Sequence, residues 1–172
     1  GTKFQGNIEE LLVSPTHEIT ILSGYVIGGV IRGLIVGAIV TILALFFTRL
    51  DVQNWPVTIS MVLLTAVVFA LAGFINAIFA NNFDDISIVP TFVLTPMIYL
   101  GGVFYSTDLL PEFWAKVSML NPVLYMVNGF RYGILGVSDV NIVFSYAMLF
   151  VFIGATASWS LYLMTKAQRL RQ

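Results

Sequence analysis

Long apolar runs separated by short polar breaks dominate the chain. A helix crossing about 30 Å of hydrocarbon needs roughly 18 or more apolar residues. Runs of that kind predict transmembrane helices over 19–48, 57–80, 86–105 and 142–164. Ser14 followed by Pro15 reads as an N-cap and a first-turn proline, so the first helix is expected to start near Pro15, with Glu18 in its early turns. It gives way at Thr48-Arg49-Leu50-Asp51, and Asn81-Asn82-Phe83-Asp84-Asp85 closes the second run. The third run contains Pro90 and Pro96, which predict a kink, and Gly101-Gly102 offers a break near its far end. Trp159 and Tyr162 lie near the end of the fourth, as interfacial aromatics do.

Residues 106–141 have a different pattern. A short helix is expected after Leu110-Pro111-Glu112, with Phe113, Trp114, Val117 and Leu120 on one side. Asn121-Pro122 interrupts it, and a second apolar helix is expected from Val123 to Leu135, before Gly136. Neither is long enough to cross, so both read as interfacial or re-entrant helices. At the other end, Ile8, Leu11 and Leu12 share a helical face at i, i+3 and i+4, while Glu9 and Glu10 point elsewhere. Such a segment can lie in the membrane interface. Its acidic face is repelled by anionic lipid, which leaves docking on a soluble partner as the alternative.

Composition supports the membrane reading. Hydrophobic residues make up 58% of the chain and charged residues 10%, with a mean hydropathy of +0.92. Soluble domains run near 45–50% apolar and about 25% charged. A net charge of −1 provides no basic field for nucleic acid. Without cysteine, and with His17 the one histidine, disulfides, thiol catalysis and His-rich metal clusters are excluded. No phosphate-binding loop, serine elbow or H-E-x-x-H pair occurs, so no enzyme site and no cofactor or metal is expected on this chain. Four spans put both ends on one side, and Lys166, Arg169 and Arg171 make the 165–172 tail and the 1–18 segment cytoplasmic. Asn54 and Ser118 then face outside, and Asp84 and Gln172 inside.

Gly29, Gly33 and Gly37 recur every four residues on the first span, and Gly24 and Gly28 form another such pair. Ala66, Ala70, Gly73 and Ala77 make a comparable stripe on the second span, as do Gly154 and Ser158 on the fourth. In lipid, small residues let helices approach closely. The stripes read as packing within one subunit, or else as a dimer or pore-lining face. Arg32 lies about 13 residues, roughly 20 Å, into the first run. Either it sits near mid-membrane, lining a transport path or pairing with an acid on another span, or the helix starts in the interface and Arg32 snorkels to headgroups. Asn76 reads as an interhelical hydrogen-bond partner or a substrate contact.

The order of these motifs resembles a known family. Gly6 to Pro15, read G-N-I-E-E-L-L-V-S-P, is similar to the cytoplasmic coupling segment of type-2 ABC exporter permeases. Pro96 to Tyr105 (P-M-I-Y-L-G-G-V-F-Y), Leu110-Pro111-Glu112-Phe113, and Leu120-Asn121-Pro122-Val123-Leu124-Tyr125 with Arg131 and Gly136 resemble that family's last external stretch. The likeness covers essentially the whole chain and points to the YadH-like inner-membrane transport permeases of bacteria.

The resemblance implies an all-α membrane permease of which this chain is spans three to six of six. It implies a coupling helix at Ile8, Glu9, Glu10, Leu11 and Leu12, seated on a separate ATPase subunit present in two copies. ATP and magnesium are then expected on that partner. A second permease copy, as a homodimer, is also implied. Pro111, Pro122, Tyr125 and Arg131 are expected at an external gate, and Gly29, Arg32, Gly33, Gly37 and Asn76 on a packing or translocation face. The expected cargo is amphipathic: a drug-like compound, a lipid or a lipid-linked glycan. The competing expectation is a passive channel or scaffold with no ATPase partner.

Overall fold

A computed structural model describes residues 17–48, 51–80, 83–104 and 111–169, and every element among them is helical. Helix α1 spans Glu18–Phe47 and α2 Trp55–Phe79. Helix α3 is built of three consecutive pieces: an α-helical turn pair Phe83–Val89, a π-helical stretch Pro90–Leu94 and an α-helical piece Thr95–Leu100. Then come α4 at Glu112–Ser118, α5 at Pro122–Leu135 and α6 at Ile142–Arg169.

Three of the described helices are long and apolar enough to cross a membrane: Ile19–Phe47, Trp55–Phe79 and Ile142–Lys166. The apolar helix of the third run, Asp85–Leu100, is shorter. It stops at Leu100 rather than continuing to residue 105. Gly102 takes a positive φ of 72°, and Gly101 N–H turns back to the Ile98 carbonyl at 3.2 Å, so the helix unwinds there. The first helix begins at Glu18, three residues after the expected start at Pro15, with His17 in the N-cap position and no side-chain cap bond.

The prolines of α3 leave backbone carbonyls without their usual partners, and in a water-poor interior these must be satisfied. Pro90 has no N–H to return to Ile86, four residues back. The Asn76 amide of α2 donates to that carbonyl at 2.9 Å. Just ahead of Pro96, Thr95 gives both its N–H and its hydroxyl, the latter at 3.2 Å, to the Pro90 carbonyl five residues back. That is the π register.

Two buried clusters hold the bundle. One joins Ile21 and Leu22 of α1, Leu71 and Phe74 of α2, and Met164 of α6. The other joins Met61 and Val68 of α2, Tyr125 and Met126 of α5, and Leu149 of α6. They lie toward opposite ends of α2, so α5 occupies the end opposite the start of α1. It runs antiparallel to α2: Gly129 abuts Met61, and Gly133 abuts Thr58. The Asn54 and Gln53 N–H groups donate to the Gly133 and Ile134 carbonyls at 2.8 and 3.2 Å. The N-terminus of α5 therefore starts deep, near the middle of α2, and its C-terminus reaches the end of α2. With α4 leading in, the two form a helical hairpin.

Asparagine makes the hairpin tip possible. Asn121 accepts from the Val123 N–H at 3.0 Å, capping α5, and its amide donates to the Met97 carbonyl at the end of α3, at 2.6 Å. At the other end Gly136, at φ 72°, closes α5 through its N–H to the Tyr132 carbonyl at 2.9 Å.

Candidate functional site

An open cleft of about 1110 Å³ lies between α1, α2, the end of α3 and α5. Each long wall is a single helical stripe. Gly29, Arg32, Gly33 and Val36 come from α1; Val62, Thr65, Ala66, Phe69, Ala70 and Gly73 from α2; Val123, Met126, Val127, Phe130, Arg131, Ile134 and Leu135 from α5. Spacings of three and four residues put each set on one face. Ile98 and Val103 of the α3 end close a further side. The lining is apolar except for Thr65 and two arginines.

Small residues set the α1–α2 seam. A Cβ on Gly29 would sit 2.8 Å from the Ala70 Cβ, and one on Gly33 would sit 3.7 Å from the Ala66 Cβ. The pairing is antiparallel with a fixed register, which puts Arg32 level with Val67, the central residue of Trp55–Phe79. That is about 18 Å from either end of α2 at 1.5 Å per residue. Beyond Gly33 the helices part. Gly37 meets nothing within 4 Å, and Val62, which the register would set opposite it, lines the cleft instead.

Arg131 is pinned. It donates to Asp139 at 2.8 Å and to the Gly102 carbonyl at 2.5 Å. Its side chain and that of Asp139 are 22% and 18% exposed. The pin ties α5 to the end of α3 and to the turn before α6. Arg32 is exposed and, among the described residues, has no ion pair or hydrogen bond.

The structure thus brings Gly29, Arg32, Gly33 and Arg131 to one cleft, and leaves other expected residues elsewhere. Gly37 faces open space. Asn76 serves the α3 backbone near the far end of α2. Pro111 is exposed at the N-cap of α4, and Pro122 is the first residue of α5. Tyr125 is 2% exposed, donates to the Met119 carbonyl at 2.5 Å and packs its ring on Phe144. Its setting is the hairpin core, not the cleft wall. Gly154 and Ser158 are exposed rather than packed. Ile8, Glu9, Glu10, Leu11 and Leu12 lie outside the described residues.

Sequence reasoning missed Asn128, which is 2% exposed. Its amide donates to the Val140 carbonyl at 2.7 Å and the Ser145 hydroxyl at 3.0 Å, and its oxygen accepts from the Asp139 and Val140 N–H groups at 2.8 and 3.0 Å. A polar amide inside an apolar helix was the available signal, the same one that drew notice to Asn76. Ser60 and Tyr146, hydrogen-bonded between α2 and α6, were also missed.

Residues 2–135 match the model of the ABC-2 type transporter family. The chain belongs to that family. It is 56% identical over 163 residues to the inner membrane transport permease YadH of Escherichia coli (strain K12), and the YadH of Shigella flexneri matches to the same extent. The alignment covers 94% of this chain and 64% of the relative, so the chain spans somewhat under two thirds of the permeases it matches. Nodulation protein J of Rhizobium leguminosarum bv. viciae is 25% identical over 93 residues, which is 54% of this chain and 36% of that protein. No solved structure matches. With its apolar helices of spanning length, this ABC-2 chain is a membrane protein. The YadH relatives are named transport permeases, which are transporter subunits and not enzymes.

Proposed function

We propose that this chain is spans three to six of the permease subunit of an ATP-driven exporter, which moves an amphipathic substrate across the bacterial inner membrane. The supporting observation is the cleft: an apolar cavity beside the α4–α5 hairpin, level with the middle of α2 and lined by α1, the helix that follows the entry segment. A transporter without a phosphate-binding loop must receive its free energy through contact with a partner. The entry segment around Ile8 to Leu12 is the proposed contact, docking on a separate ATPase subunit, present in two copies, that carries ATP and magnesium. A second permease copy completes the proposed assembly.

In this reading α3 counts as a fourth span. Its 16-residue apolar helix, Asp85–Leu100, gives about 24 Å of length, enough for a locally thinned or protein-lined crossing. The four crossings leave the start and end of the chain cytoplasmic. The test is co-purification with a cytoplasmic ATPase, followed by transport assays on Glu9→Lys and Leu12→Asp. Loss of ATP-driven transport with normal membrane insertion is expected. Unchanged coupling in both variants would remove the entry segment from the mechanism, and transport that ignores ATP would favour a passive channel.

A further inference from the structure

One charge on the cleft wall has no counterpart. Among the described residues, Arg131 is matched by Asp139 and the Gly102 carbonyl, whereas Arg32 has no partner. No Asp or Glu among the described residues lines the cleft. The α1–α2 register places Arg32 about 18 Å from either end of α2, too deep for its side chain to snorkel to a headgroup. A cation at that depth costs at least a few kcal/mol unless it meets water or an anion. The surrounding wall, with Phe69, Met126 and Phe130, offers apolar surface on both sides. A volume near 1110 Å³ is large enough for a lipid-sized ligand.

We infer that the cleft binds an acidic amphiphile, with its anionic head against Arg32 and its apolar chain along the α2 and α5 stripes. This deepens the transport reading by naming the charge class of the cargo, and it rests on that reading for its use. An anionic oxygen is the shared requirement, which a long-chain carboxylate and a long-chain phosphate monoester both supply. An ammonium amphiphile would be repelled, and a neutral one would leave the guanidinium unpaired. A charge-assisted hydrogen bond to Arg32 predicts a preference of about tenfold or more for acid over alcohol.

The test is a binding measurement on the purified full-length protein in nanodiscs of zwitterionic lipid, without ATPase or nucleotide. Phe69→Trp places a fluorescent reporter in the cleft, and Leu63→Trp places a control reporter on the same helix away from the cleft lining. Chain-brominated hexadecanoic acid, hexadecyl phosphate, hexadecanol and hexadecylamine are titrated as quenchers. Quenching of the cleft reporter by one or both acids at concentrations about tenfold below the alcohol is expected, and the better acid names the head. The control reporter should register only partitioning into the bilayer, equal for all four once corrected for their lipid content. Arg32→Gln should erase the preference, and Arg32→Lys should keep most of it.

Equal quenching of the cleft reporter by acid, alcohol and amine would overturn the inference. So would an acid preference that survives Arg32→Gln, or one that the control reporter shows equally. If Arg32 is already paired by an acid elsewhere in the full-length protein, the equal-binding result follows. A failure here leaves the ATPase co-purification result standing, and the reverse holds too.

Discussion

Adding one methyl group at three glycines should give three different outcomes, because the glycines face three different surroundings. A Cβ on Gly133 would lie 3.0 Å from both the Cα and the N of Thr58. Those are backbone atoms, and α2 is fixed at that point by the Asn54 N–H to the Gly133 carbonyl. Neither helix can yield without losing that bond. A Cβ on Gly129 would meet Met61 at Sδ 2.5 Å, Cε 2.6 Å and Cγ 2.9 Å. The far end of Met61 can swing, but Met61 is fully buried and its displaced volume needs space. Gly37 meets nothing within 4 Å. Against these contacts stands the gain of about 1 kcal/mol from replacing glycine by alanine in a helix. Overpacking costs about 1–3 kcal/mol. The balance is a loss of about 0–2 kcal/mol; its backbone contacts put Gly133→Ala in the upper half of that range, Gly129→Ala loses less, and Gly37→Ala is neutral or stabilised by up to about 1 kcal/mol. Reversible unfolding in mixed micelles with increasing sodium dodecyl sulfate, followed by tryptophan fluorescence, measures all three. A Gly133→Ala protein as stable as the parent would refute the α2–α5 packing. A destabilised Gly37→Ala protein would show that its face is covered by another segment or copy.

Asn76→Ala should cost about 0.5–1.5 kcal/mol in the same assay, because the Ile86 carbonyl loses its donor. The loss should shrink in a Pro90→Ala background, where a backbone N–H returns, and an unchanged loss there would refute the pairing. Arg131→Gln should loosen the 136–141 turn and the end of α3 more than Asp139→Asn does, as read by amide hydrogen exchange. The partly exposed ion pair is worth under about 1 kcal/mol, while only the arginine also holds the Gly102 carbonyl. Equal effects would reduce Arg131 to its ion pair. For orientation, cysteines at Asn54 and Lys116 should label from outside and one at Lys166 only after permeabilisation, the reverse pattern inverting the topology. Ser118, the natural external probe from sequence, is fully buried and should resist labelling.

The long helices were legible because a run of apolar residues reports its own length, as 142–164 does for α6. Ends were less legible, since they depend on contacts the run does not contain. The third helix stops at Leu100, at the break that Gly101-Gly102 offered in sequence. What the sequence did not show is the contact made there: Gly101 packs on Val123, twenty-two positions later, whose Cγ1 would be 2.7 Å from an added Cβ. Arg32 stood out by its charge, but its depth is a property of register, fixed by Gly29 against Ala70 and Gly33 against Ala66. Stripes of small residues were visible on α1, α2 and α6, but spacing alone did not separate Gly29, which packs, from Gly37 and Gly154, which do not. Asn128 was overlooked because its partners are loop N–H groups, anonymous in any sequence.

Three asparagines account for how the cleft keeps its shape. Asn76 ties the proline-broken α3 to α2, Asn121 ties the end of α3 to the start of α5, and Asn128 ties α5 to the turn before α6. Each satisfies backbone groups that lipid cannot, so moving any of these elements apart exposes a polar group in an apolar medium and costs about 1–3 kcal/mol per bond. The opposite wall is held differently. From Gly29 to Val36, among the described residues, no side-chain hydrogen bond joins α1 to α2; the seam consists of carbon contacts to Ala66 and Ala70. Within that stretch the contacts are dispersive and involve no donor, and the level of Arg32 is held from the start of α1, where Ile21 and Leu22 sit in the cluster with Leu71, Phe74 and Met164 and Tyr25 packs on Phe74.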